Sequence, residues 1–159
     1  MSSQVLSAQV AAGSGLGAWT RFLRAHAAVA RELSSRLESA HGLTLRDYDV
    51  LVQLYYAPGK AMRRVDIARA VLLSPSGITR LLEGLERAGW VAKEQCSSDG
   101  RVTYAKLTGE GVAKFEAAHV THIADVDEVF LSRYTDAERA QLAELLARLP
   151  LADAGACDE

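Results

Sequence analysis

Between Ser74 and Arg101 the chain gathers hydroxyls, arginines and a glycine in an order suited to hydrogen bonding along a double helix. Ser74, Ser76 and Thr79 can pair with phosphates or bases, and Arg80 can make two parallel bonds to a guanine edge. Gly77 leaves the backbone open to close approach of a phosphate. Arg101 follows the turn Ser97-Ser98-Asp99-Gly100, and a lone arginine at a turn tip suits a narrow minor groove. Ser97, Ser98, Arg63 and Arg64 are further candidate phosphate contacts.

Elements that could position these groups follow from the same stretch. Ser74 is a suitable N-cap and Pro75 suits the first helical position. Ile78, Leu81, Leu82 and Leu85 recur at i, i+3, i+4 and i+7, which places them on one face. The opposite face carries Ser76, Gly77, Thr79, Arg80, Glu83, Gly84 and Arg87, and its first half has no carboxylate. Glu83 is within reach of Arg80 and Arg87 and can brace them. Ala88-Gly89 predicts a glycine stop. Trp90–Gln95 has strand character, Ser98-Asp99-Gly100 has hairpin-turn chemistry, and Val102–Leu107 can be the returning strand. Upstream, Arg64–Leu72 reads as a short helix with Val65, Ile67, Ala68 and Val71 apolar. The short link to Pro75 makes the pair a helix-turn-helix.

These segments, with Leu43-Thr44 opening a helix that holds Tyr48, Val50 and Leu51, and Leu107-Thr108-Gly109-Glu110-Gly111 closing the lobe, resemble the MarR (multiple antibiotic resistance regulator) winged-helix transcription factors. The resemblance spans about Ala18 to Leu149 and lies in the ordered set of motifs rather than in any one. It implies a mainly α fold with a small β-hairpin wing: a winged helix-turn-helix flanked by N- and C-terminal dimerisation helices. It also implies a homodimer on a palindromic operator, with recognition helices roughly 34–36 Å apart in successive major grooves. Asp99 would orient Arg101 by a salt bridge. A repressor released by a small aromatic or anionic effector is the usual form; Trp19, Phe22, His26, Asp47, Tyr48, Tyr55 and Arg63 are the candidate effector contacts. Two positions depart from the pattern. Trp90 replaces a smaller apolar residue or tyrosine, and Val102 stands where a second arginine or a glycine often follows. The wing therefore has a single arginine, which shifts weight onto Arg80.

Composition fits this organisation. The 159 residues suit one domain, read as an arm (1–17), a dimerisation helix (18–42), the winged lobe (43–107), further dimerisation helices (108–150) and a tail (151–159). The net charge of −2 is unevenly distributed: +1 over residues 1–59, +4 over 60–106 and −7 over 107–159. The basic segment coincides with the candidate DNA-reading element, and local charge governs phosphate affinity. In the C-terminal part, Thr108 opens a helix to about Ser132, and Thr135-Asp136-Ala137-Glu138 is a capping box opening another, ended by Pro150. Trp19–Leu37 reads as a third.

No run of about 18 apolar residues predicts a membrane span. The N-terminus lacks a basic start followed by an apolar core, and Cys96 and Cys157 are too few for a disulfide or metal framework, so the chain reads as cytoplasmic. Catalytic motifs, a phosphate-binding glycine loop and cofactor signatures are absent, so an enzyme is not expected. Two other readings stay open. His119, His122 and Asp125 share one helical face, with His41 as a possible fourth ligand, which would suit a metal-responsive form. A winged helix can also serve as a protein-interaction module.

Overall fold

The computed structural model describes residues 15–71, 75–95 and 102–149. Its elements run α1 (Gly15–His41), α2 (Leu45–Tyr56), a 3₁₀ turn (Pro58–Lys60), β1 (Ala61–Arg63), α3 (Arg64–Ala70), α4 (Pro75–Arg87), β2 (Val91–Gln95), β3 (Thr103–Leu107), α5 (Gly109–Val129), a second 3₁₀ turn (Leu131–Arg133) and α6 (Asp136–Leu146). The fold is the expected one: mostly helical, with a small antiparallel sheet carrying the wing strands.

Local chemistry sets the boundaries. Thr44 and Asp47 form a reciprocal capping box at the start of α2, with Thr44 Oγ1 accepting from Asp47 N at 3.1 Å and Thr44 N donating to Asp47 Oδ2 at 2.9 Å. Thr135 and Glu138 repeat the device at α6, and the bonds to Thr135 hold the Glu138 carboxyl below its usual range. α4 ends in a Schellman motif: Trp90 N donates to Leu85 O and Gly89 N to Glu86 O, with Gly89 at φ +78°. That left-handed backbone is one only glycine adopts without strain.

The sheet has the order β1-β3-β2. β2 and β3 form the expected hairpin, registered from Val91 opposite Leu107 to Gln95 opposite Thr103. β1 was not legible in the sequence; it pairs Arg63 with Tyr104 on the other edge of β3. Ala105 and Leu107 of β3 are buried on one face.

One core joins the lobe. Leu51 and Leu54 of α2, Ile67 of α3, Leu82 and Leu85 of α4, Val91 and Ala105 of the sheet and Phe115 of α5 are nearly or fully buried in it. Ile78 is also buried and Leu81 partly so, which confirms the apolar face of α4.

Three details differ from the sequence reading. Val65 is 58 % exposed rather than inward, because seven-residue α3 docks through Ile67 and Ala68 on its other side. The helix expected to reach Ser132 ends at Val129, where Phe130 leaves helical geometry at φ −124° and the chain tightens into a 3₁₀ turn. The first helix is longer than Trp19–Leu37, running from Gly15 to His41.

Candidate nucleic-acid interface

The outward face of α4 is the surface most suited to DNA. Ser76 and Arg80 are exposed, and Gly77 and Thr79 are half-buried on the flank. The first turn has no acidic residue. A helix N-terminus free of carboxylates keeps its partial positive charge available to phosphates. Among the described residues, no ion pair or hydrogen bond engages the Arg80 guanidinium. Glu83 does not brace Arg87 through its carboxylate; Arg87 Nε donates to the Glu83 main-chain carbonyl at 3.2 Å. Ser74, Ser97, Ser98, Asp99 and Arg101 lie outside the described residues, as do Cys96 and Cys157.

The two arginines before the helix-turn-helix have different fates. Arg63 is half-exposed and its Nε meets Asp66 Oδ2 at 2.6 Å, which raises its already high pKa. It stays at the surface, within the basic stretch. Arg64 turns inward: its Nη2 donates to Glu86 at 3.2 Å, and its Nε is buried without a partner. Arg64, a candidate phosphate contact, is thereby paired to α4 in the structure.

Comparison with known proteins agrees with this geometry. Residues 41–102 match the model described as MarR family. The chain is 28 % identical to the HTH-type transcriptional regulator MhqR of Bacillus subtilis over 70 % of its length and 74 % of that protein's. Its fold superposes on AbsC, a MarR family transcriptional regulator from Streptomyces coelicolor, with a TM-score of 0.78 at 28 % identity, covering 85 % of this chain and 90 % of that one. The same organism's Sco3205, a MarR family regulator solved in complex with DNA, gives a TM-score of 0.78 at 25 % identity, covering 86 % and 89 %. Residues 41–102 are thus a MarR-family segment, in a chain whose fold is that of the MarR-family regulators it superposes on.

The matched segment takes in α2, β1, α3, α4 and β2 of the lobe. No helix among the described residues is long and apolar enough to cross a membrane.

Trp19, Phe22 and His26 stack along α1, with centroid separations of 6.3 and 6.4 Å, and Trp19 is 57 % exposed. Asp47 is used by the α2 capping box and Arg63 by Asp66. Tyr48 and Tyr55 do come together around Phe115: the Tyr55 ring lies 4.4 Å from Phe115 and its hydroxyl donates to Glu116 at 2.9 Å, while Lys60 Nζ sits 3.6 Å over the ring.

Tyr48 belongs to a cluster that the sequence split between two readings. Its hydroxyl lies 2.7 Å from His119 Nδ1, and its ring is 4.4 Å from His122. Burial pushes the Tyr48 phenol up to about 12, so it stays protonated. Three of the four residues read as possible metal ligands have other partners: His119 pairs with Tyr48, His41 Nε2 lies 2.8 Å from Thr121 Oγ1, and Asp125 accepts from Arg36 at 3.0 Å. No group of three possible ligands is placed to hold a metal among the described residues. The relevant signal was the pairing of Tyr48 with the i, i+3 histidines, which only tertiary packing reveals.

The cluster joins the lobe to the terminal helices and carries a pH dependence. His122 is buried, its Nδ1 without a partner. Burial is the main cause holding its pKa below the ordinary 6.5; Asp125 pulls it up and His119 pushes it down. The unfolded chain therefore binds the proton more readily than the folded one. The His122 contribution to stability is full above pH 6.5 and is lost progressively as pH falls below that value toward the lower pKa of the folded state. Thermal melts at pH 7.5 and 5.5 should show a smaller acid-induced loss in His122→Phe than in wild type; equal losses would rule out His122 as a source.

Proposed function

We propose that this chain is a homodimeric transcriptional repressor that reads a palindromic operator through α4 and is released by a small aromatic or anionic effector. The observation that carries the DNA-reading part is the outward face of α4: an exposed Arg80 on a carboxylate-free first half, backed by Ile78, Leu82 and Leu85 in the core. Arg80 makes the base contact, Ser74, Ser76 and Thr79 contact phosphate, and Gly77 allows close approach. Arg101, oriented by Asp99, enters the minor groove from the wing, with Ser97, Ser98 and Arg63 on the flanking backbone.

The homodimer is supported by apolar side chains left open on the terminal helices. Leu16 and Leu23 on α1, Val120 and Ile123 on α5, and Leu145 on α6 are all at least 45 % exposed. Apolar faces of this kind normally mark a partner surface. Two subunits joined there would present two copies of α4 to one side of the duplex.

Effector release is tested by titrating aromatic acids and phenols into a protein–operator mixture and reading loss of DNA binding. An effector must favour one conformation over the other, so binding alone is not sufficient. Release by at least one such compound, weakened by Trp19→Ala or Tyr55→Ala, supports the effector reading. A panel that binds without releasing DNA contradicts it. Sedimentation of the free protein as a monomer at micromolar concentration would contradict the homodimer.

A further inference from the structure

Glu86 stands where three elements of the lobe meet. It lies in the last turn of α4, with a side chain only 18 % exposed. Its Oε1 accepts from Nη2 of Arg64, the first residue of α3, at 3.2 Å. Its Oε2 lies 3.1 Å from Nζ of Lys93, on the strand that leads into the wing. One carboxylate thereby links both helices of the helix-turn-helix to the base of the wing. Apolar side chains such as Ile67, Leu82, Leu85 and Val91 also pack among these elements. Apolar burial is non-directional: it sets how close the elements lie, not how they are rotated. Charge-assisted hydrogen bonds have direction and supply that constraint.

A negative charge here has a cost for DNA binding. It neutralises two of the cations in the basic stretch that would otherwise add to phosphate attraction. What the charge supplies at this largely buried junction is geometry. We propose that Glu86 is a positioning residue for sequence reading: it holds α4 in register with α3 and the wing while lowering non-specific attraction to DNA. This rests on α4 being the reading helix.

The two effects have opposite signs, which separates them from a loss of fold. Removing Glu86 frees Arg64 and Lys93, so binding to a random-sequence duplex should strengthen or hold. Binding to a specific site should weaken because Arg80 and its neighbours no longer meet their targets together. The probes are a duplex selected from a random pool by the wild-type protein and a random-sequence duplex of equal length. Both are titrated at fixed salt against wild type, Glu86→Ala and Glu86→Gln, with melts giving the folded fraction.

Glu86→Ala should lower the specific-to-random affinity ratio by about tenfold, the scale of one charged hydrogen bond. Glu86→Gln keeps an oxygen acceptor for Arg64 and should retain part of the ratio. Equal weakening toward both duplexes, or an unchanged ratio, overturns the positioning role. If Glu86→Ala does not fold, Glu86→Gln alone decides by the same ratio, expected to fall less than tenfold but measurably. If wild type selects no preferred duplex, the DNA-reading assignment of α4 fails, and the proposal with it; that outcome is visible before any variant is made.

Discussion

Arg80→Ala is expected to weaken binding to a selected operator by about 1–3 kcal/mol, roughly 5- to 150-fold, with a smaller effect on random duplex. The reason is positional. Arg80 is exposed on the face of α4 opposite Ile78 and Leu82, and the protein gives its guanidinium no partner among the described residues. Its five donors remain for DNA. Arg101→Ala should fall in the lower part of the same range, because Val102 leaves the wing with a single arginine. The loss at Arg101 should be greatest for operators with an A/T-rich flank, where the minor groove is narrow. Titration at one salt concentration checks both variants, and an unchanged affinity in both would remove the assignment of this surface.

Gly111→Ala is expected to destabilise the protein by about 1–3 kcal/mol or more. Gly111 lies in the first turn of α5, where its N–H bonds to Thr108 Oγ1 at 3.0 Å. A Cβ there would overlap the Trp90 carbonyl oxygen, and would lie 2.9 Å from its carbon and 3.1 Å from Leu107 Cδ2. That carbonyl is fixed, because Thr108 N donates to it at 3.1 Å. Relief requires α5 to move away from the start of β2, where Trp90 also stacks under Lys114. Gly84→Ala is the matched control. Gly84 sits inside α4 with nothing within 4 Å of an added Cβ, so alanine should stabilise by about 0.5–1 kcal/mol through helix propensity. Denaturant midpoints should order the proteins Gly84→Ala, wild type, Gly111→Ala; the reverse order would contradict the packing described at the lobe–α5 joint.

Local signals were legible where one residue decides one feature. The Thr44 and Thr135 caps, the Gly89 stop and the Ile78-Leu82-Leu85 face all follow from short-range rules, and each recurs in the structure. β1 was not legible: three residues, Ala61–Arg63, are too short for a period and become a strand only by pairing with β3. The pairing of Arg64 was not legible for a related reason. Sequence shows a cation before the helix-turn-helix, but only packing brings Glu86, 22 residues later, against it. Tyr48 and His122 were each assigned to a different site; across α2 and α5 they form one cluster. What the sequence lacked in each case was a long-range contact rather than a residue type.

In the function proposed above, α4 reads bases from the major groove through Arg80. The most direct measurement replaces the guanines of a selected operator, one at a time, by 7-deazaguanine, which removes the N7 acceptor on the major-groove edge. Wild-type affinity should fall at one symmetry-related guanine in each half-site, and Arg80→Ala should bind the normal and substituted duplexes equally at that position. If no substitution weakens wild type, or if Arg80→Ala loses as much as wild type at every sensitive guanine, then Arg80 does not read the operator.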